Sequence, residues 1–199
     1  MKKIALISVS DKEGLEGLVR TLLNWNYRII SSGGTAKTVR SLGYEVTEIS
    51  DYTNYPESPD GLVKTLHPKI HGGLLMDPDN LAHNEYMKEQ GIEPITFVAV
   101  NLYPFEKVIL HKNIQFEEAV ENIDIGGPAI IRAAAKGALL HGTPAVLVDS
   151  NQYNAIIEEL NKTGGKLAFE TTRALAVKAF ERITEYDAII SSFLMKVSR

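Results

Sequence analysis

The chain has 199 residues, with 25 acidic and 21 basic side chains, a net charge of −4 and no cysteine. At roughly 100–200 residues per domain this is one domain or two small ones, and a 44 % hydrophobic, 23 % charged composition excludes a disordered or collagen-like chain. The mild charge gives no global field for nucleic acid, and the missing cysteine removes disulfides, thiolate nucleophiles, cysteine-ligated zinc and iron–sulfur centres.

The apolar run Ile4 to Val9 is too short for a signal-peptide core or a membrane span, so it reads as a first strand of a cytoplasmic protein. Leu15, Leu18, Val19, Leu22 and Leu23 recur at helical spacing. Tyr27 to Ile30 predicts a second strand, Ser31 to Thr35 a small-residue turn, and Thr38, Val39 and Leu42 a short helix stopping at Gly43. Tyr44 to Ile49 predicts a third strand. From Asp51 to Asp79 the period is lost, and a loop near thirty residues inside a compact domain is usually functional. Helical character returns from Leu81 to Gln90, followed by a buried strand over Thr96 to Val100.

Phe116 to Val120 predicts a short helix, and Pro128 suits the first position of the next one, running to Lys136. Pro144 to Asp149 reads as a strand and Tyr153 to Leu160 as a helix ended by Gly164-Gly165. The tail from Leu167 to Val197 predicts one long helix or two, with Thr184 to Asp187 as the point of interruption. This alternation predicts a three-layer, Rossmann-like α/β fold with a mainly parallel sheet. Residues 1–150 form its core and 151–199 a helical C-terminal extension of the same domain.

Ligands in open α/β sheets bind at the carboxyl ends of strands, and four clusters fall there. Ser8 to Lys12 follows the first strand and Ser31-Ser32-Gly33-Gly34-Thr35 the second; both suit an anion cradle, and both also suit plain helix caps. Neither the glycine spacing nor a following lysine makes a dinucleotide fingerprint or a Walker loop. In Lys64 to Gly73, His67 and His71 lie four apart, but Pro68 disfavours one helix across them and no glutamate completes a zinc motif, so no metal is expected. Lys64 can hold a phosphate or a developing negative charge. The fourth cluster is Asn101, Tyr103, Asp124 and Lys136. Free N–H groups after Asp124 can form an oxyanion hole, and Lys136, set among alanines, reads either as a lysine in apolar surroundings or as one snorkelling to solvent.

The strings Ser8-Val9-Ser10-Asp11-Lys12, Ser31-Ser32-Gly33-Gly34-Thr35, Val63 to Gly73, Asn101-Leu102-Tyr103-Pro104-Phe105 and Asn122 to Pro128 occur in this order. Together they resemble the inosine monophosphate (IMP) cyclohydrolase domain of the bifunctional purine biosynthesis enzyme, of methylglyoxal synthase-like fold. The resemblance spans essentially the whole chain. It implies dehydrative closure of 5-formamidoimidazole-4-carboxamide ribotide to IMP, without metal or organic cofactor. It also implies Lys64, Tyr103, Asp124 and Lys136 as catalytic residues. Ser10, Lys12, Ser32, Gly33, Gly34, Thr35, Thr65, Asn101, Ile125, Gly126 and Gly127 would bind the substrate. A homodimer and a separate formyltransferase supplying the substrate follow from the same resemblance, while the mild charge and the short first apolar run give no nucleic-acid or membrane partner. With 199 residues, no formyltransferase activity of its own is expected. Glu13, Leu62 and Gly137 depart from the family's usual Thr, Arg and Asn, which implies altered phosphate contacts. The rival activities are a methylglyoxal synthase-like lyase and a nucleotide-sensing module without catalysis.

Overall fold

The computed structural model describes residues 3–56, 58, 63–110 and 114–197; Leu62 and His111 lie outside them. Five strands, β1 (Lys3–Ser8), β2 (Tyr27–Ser31), β3 (Thr47–Glu48), β4 (Ile95–Val100) and β5 (Ala145–Leu147), form one sheet in the order β3-β2-β1-β4-β5. Every pairing is parallel. The order reverses at β1, so the crevice between the carboxyl ends of β1 and β4 is the topological switch point.

Alternate residues of each strand feed two separate cores. Ile4, Leu6, Val98, Val100 and Val146 face α4 (Pro68–Leu75), α8 (Gly126–His141) and α10 (Phe169–Val197). Ala5, Ile7, Phe97, Ala99 and Leu147 face α1 (Leu15–Asn24) and α9 (Tyr153–Thr163). This is the three-layer arrangement that near-continuous apolar strands require, because both sheet faces must leave water. None of the helices among the described residues is long and apolar enough to cross a membrane.

Several boundaries differ from the sequence reading. The Ser31 to Thr35 stretch passes from β2 into α2 (Gly33–Ser41): Ser32 takes the N-cap position without a side-chain cap bond, and the helix ends in a Schellman motif. There Tyr44 N–H bonds Val39 O, Gly43 N–H bonds Arg40 O, and Gly43 sits at φ +86°. The third strand is only Thr47–Glu48, because Ile49 turns inward and opens α3 (Ile49–Thr53). The aperiodic stretch holds α4, opened by Pro68 with the His67 ring as its N-cap; α5 (Leu81–Glu89) follows. Two short helices, α6 (Phe105–Val108) and α7 (Phe116–Glu121), follow β4. Pro128 is the third residue of α8 rather than the first, still within the turn where a missing N–H costs nothing. The tail is one helix of 29 residues without a break at Thr184–Asp187. Ala176, Ala179, Ile183 and Tyr186 keep one face of it in the core through that stretch.

The hydroxyl of Thr35 ties α2 to the end of β1. It accepts from Val9 N–H at 3.0 Å and donates to Val9 O at 2.9 Å, with the residue 4 % exposed. Thr35→Val keeps the shape and strands both backbone groups, so an unfolding free energy lower by about 2 kcal/mol is expected in urea titrations. An unchanged midpoint would refute this role.

Candidate functional site

The floor of the site is built by Asn101, the first residue after β4. Its side-chain oxygen accepts from Ser10 N at 2.6 Å, Ser10 Oγ at 3.0 Å and Asp11 N at 3.1 Å. Its amide nitrogen donates to Asp11 O at 3.0 Å. Asn101 thus spends its amide locking the ends of β1 and β4 together at the switch point. Ser10 Oγ also reaches Leu102 O, and Lys12 Nζ turns back onto the carbonyls of Val9 and Ser10. Both side chains therefore serve the strand end in this structure, as Thr35 does.

Beside this floor lies a cavity of about 230 Å³, lined by Ser8, Lys64, Thr65, Asn101 and Asp124 and by the start of α8. Thr65 is buried against Gly126, where a Cβ would stand 2.6 Å from the threonine Oγ1. At Gly127 a Cβ would collide with the Asp124 carboxylate and approach Leu102 to 2.9 Å. Two consecutive glycines are thus what allows the α8 N-terminus to close on Thr65 and Asp124. The Asp124 carboxylate accepts from Gly127 N–H at 2.9 Å and acts as a cap. The N–H groups of Ile125 and Gly126 carry no hydrogen bond among the described residues, so they are the donors offered at this helix start.

Lys64 joins this cavity to the second turn. Its ammonium lies against Gly33, where a Cβ would stand 3.3 Å from Nζ, and it shares a small cleft with Ser32 and Tyr55. Gly33 has φ +55°, so the turn itself favours glycine. Gly34 is exposed on the first turn of α2. The structure therefore brings together Lys64, Thr65, Asn101, Asp124, Ile125, Gly126 and Gly127 in one cavity, with Ser32 and Gly33 at its edge.

Other expected residues stand apart. Tyr103 is exposed and borders a separate, polar groove that also holds Ser10, Glu13 and Arg182; Asn101 is the wall between the two spaces. Glu13 thus borders the groove on the far side of Asn101 from Lys64 and Asp124. Lys136 is exposed, which decides between the two readings of it in favour of a lysine reaching solvent. Its alanine neighbours lie on the buried face of α8, and it sits on the opposite face. It lies six residues, about 9 Å of helix rise, beyond Ile130, the lining residue of this cavity furthest along α8. Gly137 is buried with a backbone role: a Cβ there would collide with the carbonyl oxygen of Leu74 in α4. Its departure from the family pattern is therefore a packing matter rather than a phosphate contact.

Sequence reasoning passed over Ser8, which lines the cavity, and Tyr186, whose hydroxyl accepts from Asp124 N–H at 2.8 Å. Ser8 lay inside a flagged string. Tyr186 follows Ala179 and Ile183 at helical spacing, a signal for burial that carries no hint of its partner. Among the described residues no three histidines or carboxylates converge as metal ligands.

The two histidines of α4 have another consequence. His67 Nδ1 accepts from Lys69 N–H at 3.1 Å and must be unprotonated to do so. Burial, then the Lys69 charge, holds the His67 pKa below its ordinary 6.5. Burial also lowers that of His71, partly offset by the Thr65 backbone. The unfolded chain then binds more protons just below the ordinary value, so stability is full above about pH 6.5 and falls as pH drops through that window. The urea midpoint should fall between pH 7.5 and 5.5, and His71→Gln, at the more buried site, should flatten most of that fall. Equal slopes in both proteins would refute the assignment.

The family model of the MGS-like domain matches residues 14–129, and that of the AICARFT/IMPCHase bienzyme matches residues 134–199. The bifunctional purine biosynthesis protein PurH of Bacillus cereus (strain B4264) is 50 % identical over 194 residues, covering 98 % of this chain and 37 % of that protein. PurH of Persephonella marina (strain DSM 14350 / EX-H1) gives the same figures, so the chain spans well under half the length of these curated relatives. The crystal structure of ForH superposes with a TM-score of 0.82 at 32 % identity, covering 96 % of this chain and 98 % of that one. The chain belongs to the MGS-like domain family, continued from residue 134 by a segment of the AICARFT/IMPCHase bienzyme type.

Proposed function

We propose that this chain is an IMP cyclohydrolase. The observation that carries the reading is the meeting of Lys64, Thr65, Asp124 and the α8 N-terminus in one cavity at the switch point. Its substrate would be 5-formamidoimidazole-4-carboxamide ribotide. The carboxamide nitrogen attacks the formyl carbon and a C–N bond forms; the formyl C–O bond then breaks as a C=N bond forms to the formamido nitrogen, and the oxygen leaves as water with one proton from each nitrogen.

An amide is a weak nucleophile, so the reaction needs a proton acceptor, a stabiliser for the oxyanion, and two groups held at attack distance. The Asp124 carboxylate suits the proton acceptor. The Ile125 and Gly126 N–H groups, at the positive end of α8, suit the developing oxyanion. Lys64 stands between the Gly33 turn and the cavity, where its charge serves both the ribotide phosphate and the reacting centre. Tyr103 would act from the neighbouring groove across Asn101. Lys136, exposed on α8, does not line this cavity in its own chain.

The experiment follows ring closure by absorbance with the synthetic ribotide. Conversion to IMP is expected, and no turnover between pH 6 and 9 would overturn the reading. The MGS-like match over residues 14–129 favours one rival, a lyase acting on a triose phosphate. Methylglyoxal formed from dihydroxyacetone phosphate, with the ribotide untouched, would establish that rival instead. The formyl group of the substrate implies a separate formyl-transferring reaction upstream.

A further inference from the structure

We infer that Tyr186, in the C-terminal helix α10, is a positioning residue for ring closure, holding the Asp124 backbone so that its carboxylate stays directed into the cavity. The inference rests on the cyclohydrolase reading above and adds to it a residue from the other end of the chain.

Asp124 lies in the turn between α7 and α8. Asn122 N–H and Ile123 N–H close the last turn of α7 onto Ala119 O and Val120 O. The next donor, Asp124 N–H, is past the end of that helix and before the start of α8. Its partner is the Tyr186 hydroxyl at 2.8 Å, 62 residues away. At the other end of the residue the carboxylate is tied to Gly127 N–H. Asp124 is therefore held at two points, its side chain by α8 and its backbone by α10.

The tyrosine is well placed to act as a fixed post. It is 1 % exposed, and its ring packs edge-on against Phe105 at 6.4 Å between centroids, while Phe193, also of α10, packs edge-on against the same Phe105 at 5.7 Å. Phe105 opens α6, directly after the segment that runs from Asn101 past Tyr103. One turn earlier on α10, Arg182 pairs with Glu106 of α6 at 3.1 Å. One helix thus braces both the Asp124 turn and the segment leaving the cavity floor. Burial raises the pKa of the hydroxyl, so it is neutral at working pH and accepts from the amide without repelling the nearby carboxylate.

Tyr186→Phe removes the hydroxyl and keeps the ring. The expected result with the ribotide is a kcat about fivefold lower, the worth of one ordinary hydrogen bond. KM should stay within twofold, since substrate contacts are untouched. The same substitution made on Asp124→Asn should cost less than twofold, because the group that the hydroxyl positions has already lost its function. A loss of equal size in both backgrounds, or a Tyr186→Phe kcat within twofold of wild type, would overturn the proposal while leaving the cyclohydrolase reading intact. A wild type without turnover would overturn both.

Discussion

Asp124→Asn is expected to lower kcat with the ribotide by about a hundredfold or more while the protein melts within a few degrees of wild type. The two halves of this result separate the cap that the structure gives Asp124 from the proton acceptor that we propose it to be. As a cap it accepts from Gly127 N–H at 2.9 Å, and an asparagine carbonyl oxygen does the same with similar strength. As a proton acceptor it needs the carboxylate, and losing a general base typically costs 10²–10⁴-fold, about 2.7–5.5 kcal/mol of barrier. Space does not confound the comparison, because asparagine has nearly the same outline in the crowded angle between Gly127 and Leu102. A turnover within threefold of wild type would reduce Asp124 to a capping residue and move the search for the base elsewhere in the cavity.

Gly137→Asn introduces the residue that the resemblance leads one to expect there and is nevertheless expected to destabilise this chain by about 3 kcal/mol. Replacing a mid-helix glycine gains at most about 0.5–1 kcal/mol of helix propensity. Against that stands the collision of any Cβ with Leu74 O, together with approaches of 3.2 Å to Pro144 and to Thr143 O. These neighbours are mostly backbone, and backbone cannot rotate out of the way as a flexible side chain can. Steric cost wins, and α4 must separate from α8. At about 2–4 °C per kcal/mol for a chain of this size, the melting temperature should fall by about 6–12 °C. An unchanged melting temperature would mean that the two helices can part at little cost, and that Gly137 is free to vary.

The parts of the fold that were legible in the sequence are those where one short-range pattern decides the outcome. The runs at Ile4–Val9 and Thr96–Val100 are apolar at every position but Ser8 and Thr96, and they became β1 and β4, which pair with each other inside the sheet. Gly43 and Gly164 ended helices because both sit at positive φ, a conformation that glycine takes without strain. The edge was harder. Tyr44 to Ile49 alternates like a strand, yet only Thr47 and Glu48 pair, since the buried side chain of Ile49 already belongs to the next helix. In α10 the polar cluster around Thr184 to Asp187 suggested a break, but Ile183 and Tyr186 hold the inner face and the polar residues lie outside.

The site divides in the same way. Lys64-Thr65 and Asp124 to Gly127 are local strings whose chemistry survives folding, and the structure brings both to one cavity. Lys136 illustrates the opposite case. Adjacent alanines suggested an apolar setting, but neighbours in a helix point about 100° apart, and the alanines took the core while the lysine took the solvent. Ser10 and Asn101 were flagged for the ligand, and in the structure they bond to one another. Only the pairing of β1 with β4 brings them together, 91 residues apart.

The unbroken course of α10 has a mechanical meaning. With 29 residues at 1.5 Å each it is a rod about 44 Å long. It is gripped by the core from Thr172 to Phe193, and it is exposed at Met195 and Val197. A polypeptide joined directly at Val197 would leave on a stiff lever rather than a loose tether. Its orientation would be set by the register of the helix, and adding or removing one residue at the join would swing it by about 100°.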